Sequence, residues 1–312
     1  ISTFHALGVQ ILKSHIDRLG FKRNFSIYAT SDQLRLIREL LREAGADSSN
    51  RDAEQIIWRI SAAKNRLIDA GQYQPNQRDP LSHLVAAIYP RYQKALKAYN
   101  AVDFDDLLLL TVRLFEEQDE LLAHYQQRFI YQMVDEYQDT NPVQYQLLKQ
   151  LAGGHKNLCV VGDDDQSIYA FRGADISNIL DFEKDFPGTR VIKLEQNYRS
   201  SGNILAAANH LIANNRQRRP KTLWTSSPAG HDIEYLRCED SEDEARQVVE
   251  LIHAESFRHQ RKFSDFAILY RTNTQSRAFE EQLRYDNIPY VLIGGQQFFD
   301  RKEIRDLVAY LR

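Results

Sequence analysis

From about residue 6 to 116, apolar positions recur at helical spacing. The clearest stretch is LRLIRELLREAG, where Leu34, Ile37, Leu40 and Leu41 fall on one face of a 3.6-residue period. Asp32, after Ser31, is placed to cap this helix and Gly45 to end it. Ala53–Ala70 and Leu81–Tyr99 repeat the amphipathic habit, split by the polar segment Gln72–Pro80 with its two prolines. Trp58 and the scattered tyrosines are expected to pack between helices. Asp103, Asp105 and Asp106 precede a leucine run, the pattern of a helix whose acidic first turn meets the positive end of its dipole.

The pattern changes after Arg128. Five of the seven residues Phe129–Asp135 are apolar or aromatic, which predicts a short strand buried on both faces, as in a parallel sheet. It stops on Asp135 and Glu136, with Asp139 shortly after. Leu158–Gly162 is a second such run, with Cys159 expected inside it, and it ends on Asp163, Asp164, Asp165 and Gln166. Val191–Leu194 is a third, ending in Glu195-Gln196-Asn197-Tyr198-Arg199-Ser200. Parallel strands deliver their carboxyl ends to the crevice where open α/β sheets bind ligands. Adjacent carboxylates there suit a hard cation such as Mg²⁺ bridging to substrate phosphates, and equally suit a solvated acidic turn. Three successive strands with polar ends favour a site. Between the first two, Pro142 opens a helix over VQYQLLKQLA that Gly153 and Gly154 close. Further on, Ala267–Tyr270 and Tyr290–Ile293 read as strands around a helix at Ser276–Asp286, and the basic segment Asn215–Lys221 reads as an exposed loop.

DEYQD at 135–139, GDDDQSIYAFRGA at 162–174 and LEQNYRSS at 194–201 resemble motifs II, III and IV of the UvrD/PcrA/Rep family of superfamily 1 DNA helicases, most nearly Rep. ISTFHALG at 1–8, DFDDLLLL at 103–110, AILYRTNTQSRAFE at 267–280 and GGQQFFDRKEIRDLVAYLR at 294–312 also resemble family blocks, so the likeness spans the chain. It implies an α/β fold of RecA-like P-loop NTPase motor domains with parallel sheets and a helical insert. Residues 1–5 would end a strand of motor domain 1A, 6–116 form insert 1B, 117–197 complete 1A, 198–294 begin motor domain 2A, and 295–312 start insert 2B. The family's phosphate-cradling loop lies upstream of ISTFH and its later motifs lie past Arg312. The chain therefore reads as a fragment, expected to be inactive by itself.

The resemblance also implies roles. Asp135 holds Mg²⁺ and, with Glu136, forms the metal site, while Glu136 polarises the attacking water. Gln166 senses the γ-phosphate of ATP, Arg199 acts as an arginine finger, and Tyr198 stacks on adenine. Tyr169 and Phe171 are expected to stack on unpaired bases, although the family commonly has Trp where Phe171 stands. Phe4, His5 and Arg271 are further DNA-contact candidates, ahead of Arg277, Phe298 and Arg301. For Phe4 and His5 a local alternative is a capping Thr3 and a satisfied core histidine.

Composition is ordinary for a folded protein, 43% hydrophobic and 27% charged over 312 residues, which excludes global disorder. At a net charge of −3, any nucleic-acid binding rests on local grooves rather than bulk charge. The two cysteines make no disulfide framework, and no apolar run is long enough to span a membrane. These features predict a cytoplasmic protein. The expected activity is ATP-driven 3′-to-5′ DNA unwinding in replication or repair, with single-stranded DNA and duplex junctions as partners. Two alternatives remain: the helicase part of a nuclease-fused recombination subunit, and a non-catalytic DNA-binding module.

Overall fold

The structure, a computed structural model, describes residues 1–45, 50–293 and 310. The chain divides into two compact units, Ile1–Ala229 and Gly230–Arg312.

In the first unit, helix α1 (Phe4–His15) starts where Thr3 Oγ1 accepts the Ala6 N–H at 3.2 Å. The expected strand end at Ile1–Phe4 is not formed; the capped helix takes over at Phe4. Strand β1 (Ser26–Ile27) leads into α2 (Thr30–Glu43), α3 (Asn50–Lys64) and α4 (Pro80–Ala98), and β2 (Ala101–Val102) returns parallel to β1. Asp32 does not cap α2 from outside. It lies in the first turn, where its carboxylate accepts the Ala29 N–H at 3.2 Å. Next come α5 (Asp106–Glu117) and α6 (Asp119–Arg128). Strand β3 (Gln132–Val134), α7 (Pro142–Ala152) and β4 (Leu158–Val160) follow, and the unit ends with α8 (Ser177–Leu180), α9 (Phe182–Asp185) and α10 (Gly202–Ile212).

The helical stretch divides between two cores. Helices α2–α4 bury Leu36, Ile37, Leu41, Ile56, Val85 and Ile88 together. Trp58 is 64% exposed rather than packed, because it stands two positions from Ile56 and so on the far side of α3. The tyrosines Tyr89 and Tyr92 are buried as expected. Helix α1 instead packs with α5, α6 and α7 around Ile11, Leu12, Leu108, Phe115 and Leu147. A Cβ on Gly8 would lie 2.4 Å from the Leu107 carbonyl oxygen, so only glycine lets α1 approach α5 this closely.

Strands β3 and β4 pair in parallel, with Met133 opposite Cys159. Val134, Leu158 and Val160 pack on Tyr137, Leu148 and Phe182. The opposite face is open: Met133 is 80% exposed, and Tyr131, Cys159 and Val161 are exposed with it. The expectations of a strand buried on both faces and of a buried Cys159 therefore fail, because among the described residues only one face has apolar partners. Val191–Leu194 joins no ladder; Val191, Ile192 and Leu194 are exposed, and the nearest pairing is an isolated parallel bridge between Gln196 and Trp224.

In the second unit, Asp240 caps α11 (Ser241–His259) by accepting from the Glu242 and Asp243 N–H groups. Helix α12 (Ser276–Tyr285) shares with it a core of Val249, Ile252, Leu283 and Ile288. Phe266, Ile268 and Tyr290 pack against that core while Leu269, Val291 and Ile293 point outward. That is the alternation of strands, yet neither expected strand has a hydrogen-bonded partner among the described residues. The expected start of a second insert at 295–312, with Phe298 and Arg301, falls outside the described residues except for Tyr310. No described helix is long and apolar enough to cross a membrane.

One polar cluster sits where the chain returns from α2–α4. Lys64 is fully buried, its Nζ 2.6 Å from Asp103 Oδ2 and 2.7 Å from Asp106 Oδ1. Tyr92 Oη donates to Asp103 at 3.0 Å and Gln93 Nε2 to Asp106 at 3.0 Å. Burial disfavours the Lys64 charge, yet the two carboxylates outweigh it and hold the ammonium above its usual range. Burial and then Asp103 push Asp106 upward, because two carboxylates share one ammonium. The acidic run is thus structural, as its pattern suggested, but its main partner is Lys64 rather than the helix dipole. Lys64→Met should cost about 3–5 kcal/mol of stability, the usual result of stranding buried charge, whereas adding Asp103→Asn and Asp106→Asn, which remove the charge and keep acceptors for Tyr92 and Gln93, should recover part of it. Denaturant unfolding of the variants measures both.

Candidate active site

The turn after β3 is held in an uncommon conformation. Glu136 has φ 50° and ψ 42°, the left-handed region, which costs an L-residue roughly 1–2 kcal/mol. Its N–H donates to Asp135 Oδ1 at 3.0 Å, its carbonyl accepts the Asp139 N–H at 3.0 Å, and the next N–H, of Tyr137, donates to the Val161 carbonyl at 3.0 Å. Such strain persists where surroundings over-determine it, often at functional sites. Both the Asp135 and Glu136 side chains are exposed. Asp139 is half-buried, and burial followed by the nearby Glu136 raises its pKa.

Gln138, only 1% exposed, joins this turn to the next strand's loop. Its Nε2 donates to Glu136 Oε2 at 2.8 Å, and its Oε1 accepts the Asp163 N–H at 3.0 Å. A Cβ on Gly162 would lie 2.6 Å from Gln138 Oε1, so a side chain there would displace the Gln138 amide. Gln166 Nε2 in turn donates to Asp163 Oδ2 at 2.8 Å. Two residues expected to act together, Glu136 and Gln166, are therefore linked through Gln138 and Asp163. The pattern reading missed Gln138; its place in the DEYQD match was the available signal.

The basic segment 215–221 is not simply an exposed loop. Lys221 Nζ lies 2.8 Å from Asp163 Oδ1, 2.6 Å from Asp164 Oδ1 and 2.9 Å from Asp165 Oδ2. Arg218 makes a two-pronged contact to Asp165 at 2.9 and 2.7 Å, and the Arg219 N–H donates to Asp164 Oδ2 at 2.6 Å. Burial would raise the Asp163 and Asp165 carboxyls, but hydrogen bonds from Lys221, with Gln166 and Arg218 respectively, hold both below their usual range. The three aspartates cluster tightly enough to suggest a cation site, and the Lys221 ammonium occupies the centre of that cluster.

Tyr169 and Phe171 are 36% and 63% exposed on a short turn, with ring centroids 6.0 Å apart. The Arg172 guanidinium lies over both rings, at 5.1 and 5.4 Å. Phe4 is half-buried and packs against two cores, whereas His5 stacks on the exposed Phe104 at 4.0 Å. Tyr198 and Arg199 are exposed; Tyr198 Oη donates to Gln196 Oε1 at 2.8 Å, and Asn197 Oδ1 accepts the Arg199 N–H at 2.9 Å. Arg271 and Arg277 are exposed in the second unit, Arg277 paired with Glu281 at 2.8 Å.

The UvrD/REP helicase N-terminal domain family matches residues 1–187, and the UvrD-like helicase C-terminal domain family matches residues 192–312. The chain belongs to the UvrD/REP helicase family. Along its full length it is 50% identical to the ATP-dependent DNA helicase PcrA of Staphylococcus epidermidis and 50% identical to that of Bacillus subtilis. It spans only 43% and 42% of those relatives. The PcrA protein of Staphylococcus aureus is 49% identical, again over the whole chain and 43% of its own length. Membership carries the RecA-like α/β fold with it, in keeping with the parallel pairing of β3 and β4.

For a helicase-family chain the donor set at 135–136 is chemically apt. Two exposed carboxylates at a strand's carboxyl end offer the hard oxygens that Mg²⁺ takes alongside phosphate oxygens. Asp135 and Glu136 fit that ion, and Asp163–Asp165, already ion-paired with Lys221 and Arg218, fit it less well. Phe104 is the aromatic that pattern reading overlooked, hidden within an acidic-leucine block that reads as structural. Burial lowers the His5 pKa below 6.5. A histidine lowered in this way costs stability as pH falls through 6.5 toward its folded value. Phe104→Ala should expose the imidazole and move its NMR titration midpoint up toward 6.5; an unchanged midpoint would show that the stack is not what buries it.

Proposed function

We propose that this chain is part of an ATP-dependent helicase that moves 3′ to 5′ along single-stranded DNA and opens duplex junctions in replication or repair. The observation that carries the reading is the bonded series Glu136–Gln138–Asp163–Gln166, with two exposed aromatics a few residues beyond it. Phosphoryl transfer to water needs an oriented water, charge neutralisation and a sensor of the departing phosphate. Glu136 would serve as the base, Asp135 and Glu136 would hold Mg²⁺, and the Gln166 amide would sense the γ-phosphate of ATP. When bound, the ion would supply positive charge to offset that of the phosphates. Arg199 supplies the planar cationic fork, and Tyr198 stacks on the adenine.

The organisation we assign is motor domain 1A interrupted by the helical insert 1B, followed by the opening of motor domain 2A and then insert 2B. Tyr169 and Phe171 stack on successive bases, a contact that tolerates any sequence because every base has a π-face. Phe4 and His5 are further DNA contacts, and Arg271 is assigned as a DNA contact of the second unit taken by itself. No observation favours a nuclease-fused subunit or a non-catalytic module, and the protein acts in the cytoplasm.

In the complete protein, Glu136→Gln should leave ATP binding nearly intact while lowering turnover about 10²-fold or more, as loss of a general base does. A fall of less than a few-fold would return Glu136 to an acidic turn. Phe171→Ala should weaken single-stranded DNA binding by about 1–3 kcal/mol while DNA-free hydrolysis changes little. Unwinding at the normal rate per ATP consumed would make Phe171 a surface aromatic only.

A further inference from the structure

Lys221 contacts three carboxylates, and one of them, Asp163, also accepts the Gln166 amide. The same short segment reaches the opposite way. Thr222 N–H donates to Glu195 Oε1 at 3.1 Å, and Trp224 N–H to the Glu195 carbonyl at 2.9 Å. The Trp224 carbonyl accepts the Asn197 N–H at 2.7 Å. Asn197 Oδ1 then accepts the N–H groups of Arg199 and Ser200 at 2.9 and 2.8 Å. Lys193 Nζ donates to the Pro220 carbonyl at 2.6 Å, and Asn209 exchanges two hydrogen bonds with the Leu223 backbone. Lys221 therefore stands midway along a continuous polar route from the Gln166 side chain to the Arg199 backbone.

We propose that Lys221 is a positioning residue that sets Gln166 and Arg199 in register for hydrolysis, acting through Asp163 on one side and the Trp224–Asn197 contact on the other. This rests on the ATPase reading given above. Lys221 touches neither of these two groups. Its ammonium fixes the carboxylate that orients the Gln166 amide, and its backbone leads directly into the bridge beneath Tyr198 and Arg199. An ammonium suits the task better than a neutral side chain, because three aspartates crowded together would otherwise repel and release the loop. Arg218 and Arg219 anchor the flanks of the same segment, and among the described residues Lys221 alone contacts all three carboxylates. On the domain scheme proposed above, the cluster ties the first motor domain to the opening stretch of the second. A motor that closes on nucleotide needs a fixed reference of this kind between its sensor and its finger.

The test uses the complete protein and DNA-stimulated ATP hydrolysis. Lys221→Met should lower kcat about 10- to 100-fold, the cost of misplacing groups by a fraction of an ångström to an ångström. The KM for ATP should stay within about two-fold, because no phosphate contact is removed. Lys221→Arg should restore most of the rate. Combining Lys221→Met with Gln166→Ala should cost little more than the worse single change, since both break one route. Should Lys221→Met fail to fold, Asp163→Asn serves: Lys221 keeps its other two carboxylates, and kcat should still fall with KM held. Normal kcat in either folded variant, or losses that multiply in the double variant, would overturn the proposal. Glu136→Gln is run alongside. Retained turnover there removes the ATPase reading itself, whereas lost turnover there with normal Lys221→Met removes only the role of Lys221.

Discussion

A fully buried ammonium must find its counter-charges within reach, and Lys64 finds both in the turn that opens α5. That requirement ties the end of α3 to the start of α5. The next residue extends the tie. Asn65 Nδ2 donates to Asp105 Oδ1 at 2.9 Å, and Asn65 Oδ1 accepts from Asn141 Nδ2 at 2.6 Å. Asn141 is also the N-cap of α7, exchanging hydrogen bonds with Gln144 in a capping box, and it stands two residues past Asp139. The seating of helices α2–α4 and the placement of the Asp135–Asp139 turn thus share one polar network.

Charge is used twice in the same manner. Around Lys64 the charged groups are almost fully buried, and they hold the fold. Around Lys221 it is only partly buried and joins loops rather than helices. The difference in setting matters. A buried cluster resists change because either partner alone is costly to bury, while a partly solvated one can loosen and re-form at modest cost.

Much of this was legible in the chain itself. The amphipathic helices, the Pro142 helix start and the strand-to-carboxylate turns follow from local periodicity and capping, which act within a few residues. Family membership was legible from long motifs in order. Other features were not, because they depend on partners far along the sequence. Asp103 and Asp106 face a lysine some forty residues earlier, and Asp163–Asp165 face a basic segment more than fifty residues later. A basic polar loop and a solvated one look alike until the acids it meets are known. The extended runs at Val191–Leu194, Ala267–Tyr270 and Tyr290–Ile293 have strand-like sequences, but a ladder needs a neighbour as well as a propensity. Periodicity likewise cannot reveal that α1 and α5 pack with α7 while the helices between them form their own core.

The left-handed backbone at Glu136 has a mechanical consequence. A residue held uphill of its preferred conformation behaves as a wound spring whose catch is whatever keeps it there. Here the catch is the buried Gln138 amide, which grips the Glu136 carboxylate with one end and the Asp163 backbone with the other. Any movement of the Asp163 loop therefore pulls on the catch. Loss of that grip would leave the backbone a downhill path, so the same small strain that aims the Glu136 carboxylate can also release it.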